Sequence, residues 1–112
     1  MTELRGSEWI YIGNLSYATT ESQIHEIFSR VGKIAKLIMG LNKFTLQPCG
    51  FCFIRYTSSR EALDAVVLCN NLSIDERTIL VQLDFGFRAS RRFARADKGN
   101  YKYKHRYNIV HV

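Results

Sequence analysis

Apolar residues recur along this chain with two different periods, and the switches between them mark the elements. Ile10-Tyr11-Ile12 is a short apolar run stopped by Gly13-Asn14, which reads as a strand and a turn. Thr20-Glu21-Ser22-Gln23 places a hydroxyl at a helix N-cap and a Gln three residues on, the pattern of a capping box. Ile24, Ile27, Phe28 and Val31 follow at i, i+3, i+4 and i+7 as one apolar helix face, with Gly32 placed to stop it. Ile34 to Met39 reads as a second strand, residues 40–49 as a loop containing Pro48, and Phe51 to Tyr56 as a third strand. Ser58-Ser59-Arg60-Glu61 repeats the capping box, and Ala62, Leu63, Ala65, Val66 and Val67 continue it as a helix that Asn70-Asn71 ends. A polar turn at Asp75-Glu76-Arg77 leads into a fourth strand, Ile79 to Leu83.

The order βαββαβ predicts an α+β, ferredoxin-like architecture. It has one four-stranded antiparallel sheet, two helices on one of its faces, and the other face open. The expected division is a short tail over 1–8, the domain over 9–84, and a C-terminal extension over 85–112 with helical character from Arg88 to Ala96. Strand residues alternate between faces. Ile10 and Ile12 therefore share one side with Cys52, Ile54, Tyr56, Ile79, Val81 and Leu83. Tyr11, Phe51, Phe53, Gln82 and Asp84 take the other. The helices must cover the more uniformly apolar set, so three aromatic rings are left on the open face, where they can stack on nucleobases. The competing reading makes the aromatics core residues, but both strands already supply a complete apolar inner side. Another has this face bind protein or lie under the tail.

Charge adds to this picture. The chain of 112 residues has 16 Lys plus Arg, 10 Asp plus Glu and a net charge of +6. Residues 1–84 hold eight basic residues against nine acidic ones, whereas residues 85–112 hold eight against the single Asp97. Six of the 14 aromatic residues also lie in that last quarter. A near-neutral body with a basic, aromatic extension suits an anionic partner with flat rings, and nucleic acid fits both. No apolar run approaches the roughly 20 residues of a membrane-spanning helix, and the polar start MTELRGSEW has no secretory h-region. Three cysteines without such a leader read as reduced thiols in an intracellular protein. Cys49-x-x-Cys52 lacks the remaining ligands of a zinc site, and Cys69, His25, His105 and His111 show no paired spacing. No metal, no cofactor and no catalytic activity are expected.

Cys49-Gly50-Phe51-Cys52-Phe53-Ile54-Arg55-Tyr56 resembles the octapeptide of the RNA-recognition motif, K/R-G-F/Y-G/A-F-V-x-F/Y, departing at Cys49 and Cys52. Ile10 to Leu15 resembles the partner hexapeptide on the first strand. Further runs narrow the likeness: Gly13-Asn14-Leu15-Ser16-Tyr17 with Thr19-Thr20-Glu21, Ile38-Met39-Gly40-Leu41-Asn42-Lys43, and Asp84-Phe85-Gly86-Phe87 followed by Arg91, Phe93 and Arg95. From Trp9 to Arg95 the sequence resembles the small subunit of the nuclear cap-binding complex.

That resemblance implies a nuclear protein that binds the 7-methylguanosine cap of RNA polymerase II transcripts beside a large helical-repeat subunit. It also implies roles in pre-mRNA splicing and RNA export, with shuttling to the cytoplasm open. By the same resemblance Tyr11 is one of two rings around the cap base, Asp84 reads the guanine edge, and Arg91 and Arg95 meet the triphosphate or brace the pocket. Phe51, Phe53 and Gln82 complete the expected RNA surface, with Leu83, Arg92 and Tyr101 as secondary candidates. The chain departs from the family at Leu80, Gln82 and Leu83, and no tyrosine precedes Trp9 to supply the second ring. Trp9 is not expected to reach over the base, so either cap affinity is reduced or a tail aromatic such as Tyr101 supplies the second ring. Two other function classes remain open at this point. One is sequence-tolerant single-stranded RNA binding through Tyr11, Phe51 and Phe53, as in a splicing or packaging factor. The other is protein docking through an exposed helix patch such as Val67 and Leu68.

Overall fold

The structure, a computed structural model, describes residues 6–85 and the backbone of a strand at 109–111. Its elements run β1 (Trp9–Gly13), α1 (Glu21–Phe28), β2 (Ile34–Leu41), β3 (Pro48–Tyr56), α2 (Ser59–Cys69), β4 (Ser73–Ile74), β5 (Arg77–Thr78), β6 (Leu80–Leu83) and β7 (Ile109–His111). The main sheet has the order β6-β1-β3-β2, all antiparallel, with β7 added in parallel along Met39 to Leu41 at the β2 edge. β4 and β5 form a separate hairpin.

Local chemistry explains the element ends. Thr20 accepts a hydrogen bond from the amide of Gln23 at 3.2 Å, and the Gln23 side chain accepts one from the amide of Thr20 at 2.8 Å, so the first capping box closes. The second closes by half. Ser58 accepts from the Glu61 amide, but the Glu61 carboxylate turns to the Thr57 hydroxyl at 2.9 Å and the Lys33 amide at 3.4 Å. Those hydrogen bonds hold it below the usual carboxylate range. Helix α1 ends at Ser29, not at Gly32, because the chain tightens into a turn whose amides reach back to Ile27 and Phe28. Gly32 instead lets the chain pass close to α2, since a side chain there would collide with Glu61 at 2.7 Å. Asn70 caps α2, and its side-chain oxygen accepts from the Val81 amide at 2.9 Å, tying the helix end to β6.

The expected loop over 40–49 is shorter than its composition suggests, since β2 runs on to Leu41 and β3 begins at Pro48. Pro48 opens its strand, where its missing amide is tolerated. The β4–β5 hairpin replaces what reads as a plain turn. Asp75 and Glu76 both take left-handed φ values, 50° and 66°, as a two-residue hairpin turn requires. Thr19 donates to Asp75 at 2.6 Å and Gln23 reaches the same carboxylate, so the hairpin is pinned to the start of α1.

The helices cover one sheet face. Ile10, Ile12, Leu37, Cys52, Ile54, Tyr56 and Val81 meet Ile24, Phe28, Ala62 and Ala65 in a single buried cluster. Tyr56 donates through its hydroxyl to the Phe28 carbonyl at 2.7 Å, joining β3 to the end of α1. Ile10, Ile12, Cys52, Ile54, Tyr56 and Val81 take the side that alternation in the sequence assigns them.

Candidate nucleic-acid interface

The face away from the helices is built on cross-strand pairing. Tyr11 pairs with Gln82 on one side and with Phe53 on the other, and Phe53 pairs with Ile38. One row of the sheet therefore reads Gln82, Tyr11, Phe53, Ile38. Two residues away, Trp9 pairs with Arg55, and the amide of Asp84 donates to the Trp9 carbonyl at 2.9 Å. Directly opposed residues point to the same face. Trp9 and Asp84 thus join Tyr11 and Gln82 in a square of four positions.

The rings do not stand alike. Phe53 is 1% exposed, at the centre of a small apolar cluster with Ile38, against which Trp9, Tyr11 and Phe51 pack. This corrects the expectation of three open rings. β3 is a central strand, and Phe53 lies between Tyr11 at 5.6 Å and Phe51 at 5.9 Å between ring centroids. It supports the two half-buried rings from below.

Tyr11 and Phe51 lie 6.1 Å apart with only 29° between their planes. Glycines make that posture possible. A side chain at Gly13 would sit 2.7 Å from the Tyr11 hydroxyl oxygen, and one at Gly40 would sit 2.5 Å from the Phe51 ring. Each ring lies over a position that carries no side chain. Two rings inclined at 29° to each other offer aromatic surface on which flat ligands can stack.

Trp9 is a residue whose place the sequence reading missed. Strand parity alone would have found it, because Trp9, Tyr11 and Gly13 share one face of β1. Its backbone is fixed at both atoms. The Trp9 amide donates to the Ser7 hydroxyl at 2.9 Å, its carbonyl receives the Asp84 amide, and the Ser7 hydroxyl donates to the Asp84 carbonyl. Asp84 is only 4% exposed, so hydrogen bonds accepted by its carboxylate meet little competing water. Gln82 and Leu80 on β6 are exposed. Leu83 does not belong to this face, since it packs on the helix-side core, as a residue one position off the Gln82–Asp84 parity must. Arg91, Arg92, Arg95 and Tyr101, and the helical stretch expected over Arg88 to Ala96, lie outside the described residues.

Elsewhere, α2 turns Leu63, Val67 and Leu68 to the outside, with Val67 71% and Leu68 67% exposed. The loop between β2 and β3 is held by the Asn42 side chain, which accepts from the amides of Phe44 and Thr45, and it carries an exposed Phe44 with Lys43 5.3 Å from its ring. The cysteines are free thiols; burial pushes Cys49 up to about 11 and Cys52 higher still.

Comparisons with known proteins agree with this architecture. "Nuclear cap-binding protein subunit 2" of Schizosaccharomyces pombe is 43% identical over 96 residues, which is 86% of this chain and 53% of that protein. Proteins of the same name from Eremothecium gossypii and Drosophila erecta are each 47% identical, over 83% and 86% of this chain and 43% and 62% of their own. The chain thus spans about half the length of these relatives. Among solved structures, the RRM of RNA15 superposes with a TM-score of 0.69 at 26% identity, covering 72% of this chain and 93% of that one. One chain of the Sxl-lethal protein–RNA complex superposes with 0.65 at 29% identity, covering 69% and 47%. The sequence also fits the RNA recognition motif over residues 10–80, and with the sheet order and the aromatic platform this places the chain in the RNA recognition motif family.

Proposed function

We propose that this protein binds the 7-methylguanosine cap of RNA polymerase II transcripts, as the small subunit of a nuclear heterodimer with a large helical-repeat partner. In that setting it would support pre-mRNA splicing and RNA export. The observation that carries the reading is Tyr11 on β1 paired with Gln82 on β6, with Asp84 just past the end of β6 on the diagonal. The relatives named above support the cap as ligand. A methylated guanine is a delocalised cation, so an electron-rich tyrosine face attracts it by stacking and cation–π interaction. A base lying on Tyr11 has Gln82 directly beside it and Asp84 on the diagonal, roughly 7–8 Å between α-carbons, a gap a purine edge can span. A carboxylate there accepts from the N1 and N2 donors that guanine presents and adenine does not. Phe51 and the buried Phe53 hold the Tyr11 ring in place. Arg91 and Arg95 are assigned to the triphosphate, which guanidinium groups match bidentately, with Arg92 and Tyr101 as further contacts. The outward apolar residues Leu63, Val67 and Leu68 on α2 support a protein partner on the opposite side of the domain. The role is recognition, not catalysis.

A second reading, single-stranded RNA binding without cap preference, is favoured by the Tyr11–Phe51 ring pair, because every base has a face to stack. Titration of methylated against unmethylated GTP, with and without the large subunit, separates the two. Cap recognition predicts preference for the methylated nucleotide and a selective loss on Asp84→Ala. Equal affinity for both nucleotides in both settings would leave only the generic reading.

A further inference from the structure

We infer that Trp9 is a second base-stacking position, so that the interface holds two nucleosides, one on Tyr11 and the next on Trp9. The inference rests on the nucleotide-binding reading of this face and extends it. Trp9 and Tyr11 share a face of β1 two residues apart, which separates them by roughly 7 Å along the strand. The Tyr11 ring leans over Gly13, away from Trp9. The two rings therefore offer neighbouring platforms instead of opposed walls around one base.

Gln82 on β6 lies level with Tyr11, and Asp84, just past the end of β6, lies level with Trp9, between the two base positions. Trp9 is half-buried against the Ile38–Phe53 cluster, which orients the indole. Its backbone is locked by Ser7 and Asp84 on both sides. A side chain already fixed loses little freedom when a base settles on it.

Trp9 is the single tryptophan of the chain, so its emission reports on this position alone. The experiment uses the full chain and three ligands, methylated GTP, a methylated capped dinucleotide and an uncapped RNA trinucleotide, with unmethylated GTP as a control. In the wild type, the dinucleotide and trinucleotide should quench Trp9 emission, and methylated GTP should leave it nearly unchanged. By calorimetry, Trp9→Ala should weaken the two longer ligands by about 5- to 150-fold, the range for one stacked base, and leave methylated GTP unaffected. Trp9→Phe keeps a ring and should recover most of the loss, which separates stacking from a folding defect. Equal weakening of all three ligands would overturn the inference by making Trp9 part of the first base's pocket. Unchanged affinity for both longer ligands would overturn it outright. Failure of cap recognition reads differently: methylated and unmethylated GTP bind alike, while the Trp9 contrast persists on the trinucleotide.

Discussion

The two faces of the sheet are made by the same strands, in alternation, yet they use apolar residues differently. The helix side takes mostly aliphatic residues from the strands, Ile10, Ile12, Ile54 and Val81 among them, and buries them almost completely against α1 and α2, with Tyr56 the aromatic exception. The far side takes aromatic residues and buries only Phe53 and Ile38 fully, leaving Trp9, Tyr11 and Phe51 half-covered around them. Aliphatic side chains pack to high density in irregular spaces. Aromatic rings keep a flat face that another flat molecule can cover. The difference lies in where burial is completed: by folding on one side, by a ligand on the other. Glycine sharpens it, because Gly13 and Gly40 let two rings lie down where a methyl group would lift them.

The largest expected effects test that division directly. Phe28→Ala, on the helix side and fully buried, should cost about 3–5 kcal/mol of stability. Phe53→Ala should fall in the same range by the same argument, although it faces the other way. Tyr11→Ala should cost much less stability and should weaken RNA binding by about 1–3 kcal/mol. Urea unfolding and RNA titration of the three variants give both numbers. A Tyr11→Ala loss of stability as large as that of Phe28→Ala would mean that the aromatic face is simply a second core.

Much of this was legible in the chain because alternation is a rigid geometric rule. It assigned Ile10, Ile12, Cys52, Ile54, Tyr56 and Val81 to the helix side, and Tyr11, Phe51 and Phe53 to the other, as observed. The Thr20–Gln23 capping box was legible because its partners are local. What escaped depends on distant neighbours. Glu61 serves Thr57 and Lys33 instead of closing its box, and nothing within four residues of Ser58 reveals that Lys33 is near. The burial of Phe53 follows from the packing of Tyr11, Phe51 and Ile38 around it, two of them on the neighbouring strands β1 and β2. The β4–β5 hairpin rests on left-handed Asp75 and Glu76, residues less diagnostic than an Asn-Gly pair. Trp9 is different: its parity with Tyr11 was readable, but its anchoring by Ser7 and Asp84 depends on a residue 75 positions away, just past the end of β6.

A middle-sized effect sharpens the helix side. The Tyr56 hydroxyl is buried and donates to the Phe28 carbonyl. Tyr56→Phe keeps the ring and leaves that carbonyl without this donor, which should cost about 1–3 kcal/mol. Burial, reinforced by nearby Cys69, Glu61 and Cys52, holds the Tyr56 phenol above its ordinary range. RNA affinity should not change, since no part of Tyr56 reaches the aromatic face.

The smallest effect uses the thiols as reporters of which face has opened. Cys52 lies in the helix-side core, fully buried, and burial raises its thiol far above the ordinary value, with Glu21 adding to the shift. Cys49 is pushed up to about 11 by burial alone. A thiol whose folded value is raised contributes stability that is complete below the ordinary value near 9.0 and is lost as pH rises, for Cys49 through about 11. Stability should therefore decline in alkali above pH 9.0, and the decline should be shallower in Cys49→Ala. At pH 8 neither group is a thiolate in the folded state, so iodoacetamide should reach Cys52 only through molecules that have opened the helix side. Phe28→Ala raises that open population and should accelerate Cys52 labelling, tracked by mass spectrometry of the peptide that carries it. Tyr11→Ala removes a ring from the other face and should leave the rate close to that of the wild type. Equal acceleration by both variants would show that the two faces open together, and that the aromatic side contributes to the cooperative core as fully as the aliphatic one.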